Sequence, residues 1–386
     1  MSIFRAAGLA PGLIGTIAYR IGDENRPAPF TTPEAPELQA LLHEMKGRGV
    51  RAVAIEASSH ALVQHRVDGV EFDVVAFTNL TQDHLDYHGD MERYLDAKLR
   101  LFDGRTGPSS KRARAIVWVD DPVAAHVLAA AEGAGLRVLR VGTDHGEHEP
   151  AMRLDVGVQG VEPRPDGLDL RLSLEGAGPG GRGEMRLRLP LLGRFNAANA
   201  AVAVAAARAL GIGERAIARG LETMPGVPGR LERVAEGRPW LVVVDYAHTP
   251  DALERALAAV REHTRGRVLL VFGCGGDRDR GKRPLMGRIA AERSDQAWVT
   301  NDNPRGEDPE AIARAIAAGD PAGRLRVQLD RRTAIGEALA AARPDDAVVI
   351  AGKGHETTQT VGERVLPFDD RAVARELLEA RGTRTP

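Results

Sequence analysis

Six short polar clusters carry the residue types that chemistry uses. EASSH supplies Glu56 and His60, and TQDHLDYH supplies Asp83, His84, Asp86 and His88. Oxygen donors joined by an imidazole suit Mg2+ or Mn2+ better than structural zinc, which takes thiolates or several histidines. The same residues read equally well as caps, at Ser58 and Asp83, beside surface histidines. FGCGGDRDRGKRP puts glycines after an apolar run, where backbone N–H groups approach an anion at a helix N-terminus. Arg278, Arg280, Lys282 and Arg283 add positive charge there; the plainer reading is a solvated basic loop. DYAHTPD places Asp245 at a strand end and Thr249-Pro250 at a helix start, which is ordinary N-terminal helix chemistry. In AGKGHE, glycines flank Lys353, and His355 and Glu356 follow, as in a flexible loop that carries a lysine or carboxylate to a ligand, or in a plain turn. TNDNPR gathers Asn301, Asp302, Asn303, Pro304 and Arg305. Pro304 fixes the backbone and Arg305 offers a planar fork. A carboxylate and a guanidinium together suit a zwitterion, with Asp302 meeting an ammonium and Arg305 a carboxylate. An Asx-type turn is the structural alternative.

Each cluster follows an apolar run, so strands must position them. From Leu13 to Gly142, LIGTIAY, AVAIEAS, DVVAFTN, AIVWVDD and RVLRVG alternate with helical stretches at Pro36–Lys46, Met91–Phe102 and Pro122–Ala134. That alternation argues for a parallel sheet wound with helices. A strand is expected over Leu13–Arg20, after a helix tail SIFRAAG closed by Gly8. Between Arg153 and Leu192, DLRLSL and EMRLRLPL alternate as antiparallel strands do. Helices are expected over Asn196–Leu210 and Gly213–Met224. PGVPGR at Pro225–Arg230 breaks the pattern and marks a boundary. A second series follows: WLVVVDY, RVLLVFG, QAWVT, LRVQL and DAVVIAG, with helices beginning near Pro250, Lys282, Pro309, Thr333 and Asp370. In wound parallel sheets the strand ends are where ligands bind.

The chain has 386 residues, enough for two domains. A net charge of −2 gives no reason to expect nucleic acid or a membrane surface as partner. The one cysteine, Cys274, excludes an internal disulfide framework and suits a reducing cytosol. No apolar run reaches bilayer length, and the start is not a signal peptide.

In order along the chain, GLIGTIAYRIG, TTPE, EASSHALVQHRVDG, FTNLTQDHLDYHGDMERYLDAKLRLF, LLGRFNAANA, MPGVPGRLERV, VVDYAHTPDALE, VFGCGGDRDRGKRPLMG, TNDNPRGEDP and AGKGHE resemble the Mur ligases. The likeness is to the branch that adds meso-diaminopimelate to UDP-N-acetylmuramoyl-L-alanyl-D-glutamate in peptidoglycan synthesis. It implies an α/β chain. Residues 1–226 would form an incomplete central ATPase domain, a mostly parallel sheet plus a small antiparallel one. Residues 227–386 would form a Rossmann-like amino-acid-binding domain. It implies amide ligation with ATP and Mg2+ through an acyl-phosphate, in a cytoplasmic, monomeric enzyme.

By the same resemblance, Thr31, Thr32, Ser58, Gln64 and Arg66 face the UDP-peptide. Glu56, His84 and Lys98 form the catalytic metal site, with Lys98 carbamylated. Asn199, Arg230, Asp245 and His248 face the nucleotide. Arg278, Asp302, Asn303, Pro304, Arg305, Gly352 and Glu356 line the diaminopimelate pocket. DNPR is the family's mark of diaminopimelate use: its distal end carries an ammonium and a carboxylate, and lysine has only the ammonium.

The family opens with a uridine-nucleotide domain, then a strand and a GTNGKTT-type phosphate loop. This chain opens inside the helix after that loop, and no GxxxxGKS or GxxxxGKT occurs in it. The expectation is that it lacks the first ATPase strand and the phosphate-binding lysine, which are encoded upstream of Met1. The alternatives are a diaminopimelate-binding remnant without catalysis and a ligase like folylpolyglutamate synthase.

Overall fold

SIFRAAG folds as expected, into α1 (Ser2–Ala6) stopped before Gly8. Then the chain departs from expectation. In place of one strand over Leu13–Arg20 there are two antiparallel ones, β1 (Pro11–Ile14) and β2 (Ala18–Ile21). The physical reason is Thr16: its N–H goes to the Glu56 carboxylate at 3.0 Å, not to a strand partner. β3 (Glu24–Pro27) pairs with β2. α2 (Ala35–Gly47) leads to β4 (Ala52–Ile55), which pairs with β1 in parallel. The sheet runs β3-β2-β1-β4, and Ile14, Tyr19, Ile21, Leu38, Leu41 and Met45 share its core. The computed structural model describes all residues except 82, 108, 145, 147–151, 177–180, 235–237 and 383–386; the side chains of 86, 381 and 382 also lie outside the description.

After α3 (Ser59–Val63) comes the larger sheet of the first unit. Its elements are β5 (Val74–Phe77), α4 (Leu85–His88), α5 (Met91–Leu99), β6 (Arg114–Trp118), α6 (Ala124–Gly133), β7 (Arg137–Thr143), β8 (Val156–Arg164), β9 (Gly167–Leu174) and β10 (Gly183–Leu189). β5 to β8 are parallel, and DLRLSL and EMRLRLPL form the antiparallel β9–β10 pair that continues the same sheet, in order β10-β9-β8-β7-β6-β5. Leu168, Leu170, Leu172 and Leu174 all point inward, as period-2 alternation requires. They share a core with the small residues of α7 (Phe195–Ala209) and with α8 (Glu214–Glu222).

The second unit is built on one six-stranded sheet. In chain order its elements are β11 (Glu232–Arg233), β12 (Leu241–Asp245), α9 (Pro250–Glu262), β13 (Val268–Phe272), α10 (Lys282–Arg293), β14 (Gln296–Val299), α11 (Pro309–Ala317), β15 (Arg326–Val327), α12 (Arg331–Ala341), β16 (Ala347–Ala351), β17 (Thr358–Val361), β18 (Arg364–Pro367) and α13 (Asp370–Gly382). The order is β11-β12-β16-β13-β14-β15, all parallel but for β11. Strands buried on both faces need unbroken apolar runs, and VLLVF and AVVIA supply them. α9, α10 and α11 share one core with the sheet, and α12 and α13 share another. Thr249, Asp308 and Asp330 cap their helices with side-chain oxygens.

The chain divides into two compact units, one of Met1–Glu162, Leu168–Pro190 and Arg194–Met224, the other of Pro163–Gly167, Leu191–Gly193 and Pro225–Pro386. Among the described residues no helix is long and apolar enough to cross a membrane.

Candidate active site

In the first unit, the end of β4 gathers the predicted residues around Glu56. One oxygen, Oε2, accepts both the Thr16 N–H at 3.0 Å and the Thr16 hydroxyl at 2.9 Å. The Thr31 hydroxyl lies 3.0 Å from the Thr16 hydroxyl. Because the Thr16 proton goes to Glu56, Thr31 is the donor. Thr32 is buried; its hydroxyl donates to the Glu56 carbonyl at 2.7 Å and accepts from the Ser58 N–H at 3.1 Å. Ser58 caps α3, as the plainer reading had it. Arg66 donates to the Thr32 carbonyl at 3.0 Å, pairs with Glu34 at 2.7 Å and bonds Gln64.

TQDHLDYH and α5 bring a ring cluster together. His60 lies 4.9 Å from His84, 4.1 Å from Tyr87 and 5.5 Å from His88. His88 is buried, stacks on Tyr94 and bonds the Ser59 hydroxyl at 2.9 Å. His84 adopts a left-handed backbone, and its Nε2 lies 3.5 Å from Asp83. The Asp86 side chain lies outside the described residues. The Lys98 ammonium sits 5.0 Å from the Tyr94 ring centroid. Burial lowers its pKa, against the negative charges of Asp83 and Glu56. Among the described residues, no three His, Cys, Asp or Glu side chains converge into a ready-made metal cage. Glu56 still has an oxygen, Oε1, without a hydrogen bond among those residues, and His84 has an imidazole. These are donors that Mg2+ accepts when water and phosphate complete its shell.

In the second unit, Asp245 at the end of β12 is buried. It accepts the Leu231 N–H at 2.7 Å and the Ala247 N–H at 2.8 Å. Burial raises its pKa against those bonds. The Arg230 guanidinium lies 4.9 Å from the Tyr246 centroid, and His248 and His355 flank the same ring at 4.6 and 5.3 Å. Asn199 is on α7 of the first unit, bonded to Asn196.

The DNPR loop follows β14. Asp302 is buried, and its carboxylate accepts no hydrogen bond among the described residues. Burial raises its pKa, opposed by the charges of Arg331 and Lys353. Asn303 is no Asx turn: its Nδ2 donates to Glu356 at 2.8 Å, and its Oδ1 accepts from Lys353 at 3.1 Å and from the Thr360 N–H at 3.0 Å. Lys353 is fully buried and also pairs with Glu356 at 3.0 Å, so it is fixed and not the swinging lysine of a flexible loop. Gly352 holds φ +113°, and a Cβ there would lie 2.5 Å from the Asp302 Oδ2, so only glycine fits. Arg305 donates to the Gly276 carbonyl at 2.8 Å and makes no ion pair among the described residues.

The basic loop serves a different purpose from the anion cradle expected. The Gly276 N–H goes to the Asn303 carbonyl at 2.9 Å and the Asp277 N–H to Glu307 at 2.6 Å. Arg283 is buried against Glu307, which Arg280 also reaches, and Lys282 donates to the His248 carbonyl. Among the four cations, Arg278 and Lys282 make no ion pair among the described residues; Arg278 bonds the Asp277 carbonyl, as Lys282 does that of His248. The sequence reading missed Thr16, Gln359, Thr360 and Arg331. A glycine inside LIGTIAY and the TQTV-GE-RVLP pattern were the available signals for the first three.

Residues 2–207 match the family model described as Mur ligase middle domain, and residues 229–354 match that of the Mur ligase glutamate ligase domain. Over 375 residues the chain is 47% identical to the UDP-N-acetylmuramoyl-L-alanyl-D-glutamate–2,6-diaminopimelate ligase of Gloeobacter violaceus, covering 97% of this chain and 72% of that protein. Identity to the enzyme of that name from Alkalilimnicola ehrlichii is 48%, covering 96% and 71%. A solved structure of a ligase with this name superposes with a TM-score of 0.71 at 33% identity, covering 99% of this chain and 75% of that one. E. coli FolC in complex with DHPP and ADP superposes at 0.67 with 23% identity, a likeness of fold alone. Two α/β units with polar clusters at their strand ends are thus the body of an amide-forming ligase. The chain belongs to the Mur ligase family.

Proposed function

We propose that this chain carries the ATP-dependent ligation of meso-diaminopimelate to UDP-N-acetylmuramoyl-L-alanyl-D-glutamate in peptidoglycan synthesis. The observation that carries this is the DNPR loop. Asp302 is a buried carboxylate without a hydrogen-bond donor, and Arg305 a guanidinium without an ion pair, both among the described residues. They complement the ammonium and carboxylate at the distal end of diaminopimelate. Asn303 and Glu356, locked by Lys353, form the neighbouring wall, with Pro304 and Gly352 shaping the backbone and Arg278 adding charge.

In this reading residues 1–226 serve ATP and the UDP-peptide, and residues 227–386 serve the amino acid. Thr31, Thr32, Ser58, Gln64 and Arg66 hold the UDP-peptide; Asn199, Arg230, Asp245 and His248 face the nucleotide. The glutamate carboxylate takes the γ-phosphoryl group and releases ADP. The amine then attacks the acyl carbon, a proton leaves, and phosphate departs. Glu56, His84 and Lys98, the last as a carbamate, would hold Mg2+, which supplies charge neutralisation when bound. The protein's own contribution is to orient the amine and to exclude the wrong amino acid. Soluble nucleotide substrates place this work in the cytoplasm, and we read the active form as a monomer.

The test is Arg305→Ala, assayed for incorporation of labelled meso-diaminopimelate and lysine. A lost bidentate charge-assisted contact corresponds to roughly 30- to 1000-fold in diaminopimelate use. UDP-peptide binding is expected to be unchanged. An unaltered ratio of diaminopimelate to lysine would refute the role.

A further inference from the structure

TQTVGERVLP follows AGKGHE and folds as the hairpin β17–β18. Val361 pairs with Arg364, so the turn is the two residues Gly362 and Glu363. Gly362 holds φ +58°, as the first position of a type II′ turn requires. The apolar side chains of β18 are open to solvent, Val365 at 63% and Leu366 at 45%. The hairpin's bonds run instead to the DNPR loop. Gln359 Nε2 donates to the Asp302 carbonyl at 2.8 Å, and the Thr360 N–H donates to Asn303 Oδ1 at 3.0 Å. The Arg305 N–H donates to the Thr360 carbonyl at 3.1 Å, and the Gly362 N–H donates to the Arg305 carbonyl at 2.7 Å. Arg305 thus pairs with Val361 as a single parallel bridge. Arg305 itself sits at φ +51°, a conformation that non-glycine residues disfavour and that surrounding bonds must hold.

We infer that the β17–β18 hairpin is the selectivity clamp of the amino-acid pocket, with Gly362 and Gln359 as its positioning residues. This rests on the reading of the DNPR loop as the diaminopimelate pocket. By bonding Arg305 on both sides of its Cα, the hairpin holds the left-handed backbone and so sets the direction of the guanidinium. A small backbone rotation there is amplified along the longest side chain in the loop, and catalytic geometry tolerates little misplacement. Loosening the clamp removes the partner of the distal carboxylate and leaves Asp302 to its ammonium. Diaminopimelate then loses its advantage over lysine, while lysine binding is unmoved. A merely structural role for the hairpin would weaken both amino acids alike.

The test compares the wild-type chain with Gly362→Val, Gly362→Asn and Gln359→Leu. Binding of meso-diaminopimelate and of lysine is measured by calorimetry, and thermal unfolding is recorded alongside. Valine rejects positive φ and asparagine tolerates it. Gly362→Val is expected to cut the preference for diaminopimelate roughly tenfold with lysine affinity constant, and Gln359→Leu, whose lost bond reaches the Asp302 backbone, about fivefold with a smaller loss of lysine affinity beside it. Gly362→Asn is expected to stay within about twofold of wild type. Wild-type preference in Gln359→Leu and in a folded Gly362→Val overturns the clamp; if Gly362→Val fails to fold, Gln359→Leu decides alone. A wild-type chain that does not prefer diaminopimelate overturns the pocket reading itself, and the clamp with it.

Discussion

Arg331 is completely buried, and its removal is expected to unfold the second unit. Its guanidinium makes two bonds of 2.7 Å to Asp370, itself fully buried, one of 3.2 Å to the Asn301 carbonyl and one of 2.9 Å to the Ala351 carbonyl. It therefore ties the ends of β14 and β16 to the start of α13. Arg331→Ala leaves a buried carboxylate uncompensated, at about 3–5 kcal/mol. It also leaves two carbonyls with fewer donors, each costing about 1 kcal/mol. A loss of about 5–7 kcal/mol is comparable to the whole stability of a domain, roughly 5–15 kcal/mol. Arg331→Met with Asp370→Leu removes both charges, and the loss is expected to shrink to about 2 kcal/mol, the share of the carbonyls. The assay is a urea titration followed by tryptophan fluorescence. Trp118 lies in the first unit, so a Trp118→Phe background leaves Trp240 and Trp298 to report on the second. A loss below about 1.5 kcal/mol in Arg331→Ala would refute the reasoning, as would a double variant no better than the single one.

Two further outcomes follow from titratable groups in the same unit. Burial pushes the Cys274 thiol up to about 12, so at about pH 8 the folded chain holds almost no thiolate. A disulfide reagent should find no reactive thiol until the chain is denatured; prompt native labelling would contradict this. Glu307 is held at about 2, first by the Arg283 hydrogen bonds and then by the Asp277 N–H. A depressed folded pKa stabilises above the unfolded value, about 4.3, and the gain fades as pH falls through the folded one. The stability gap between wild type and Glu307→Gln should therefore narrow as pH falls through that window, and a constant gap would exclude it.

Much of the second unit could be read before folding. Thr249-Pro250 announced its helix because capping is local chemistry, and the helices expected near Pro309 and Thr333 begin behind the caps Asp308 and Asp330. In the first unit, the period-2 alternation of β9 and β10 announced their pairing. What escaped was decided over distance. Gly15 and Thr16 look like strand until Glu56, forty residues away, takes the Thr16 donors. Lys353 looks mobile between glycines until Asn303 and Glu356 close over it. The glycines of FGCGGD look like an anion cradle. They are needed because the DNPR loop packs onto them: a Cβ on Gly276 would lie 1.9 Å from the Pro304 carbonyl oxygen. Residue types suggested the pocket proposed above; the rigidity of its loops comes from partners that no spacing rule could supply.

β16 sits between β12 and β13, although it is made more than seventy residues after either. Until Ala347–Ala351 has left the ribosome, β12 and β13 have no common neighbour and the sheet has a slot in its middle. The strand that fills it also ends in Ala351, next to Gly352 and Lys353, which pack against Asp302 and Asn303 of the DNPR loop in the proposed amino-acid pocket. Synthesis of this unit is therefore a waiting problem: completion of the sheet is set by one late event, and earlier nascent chains leave one edge of VLLVF unpaired. A chaperone with a taste for apolar strands would find its window here, in the interval before β16 arrives.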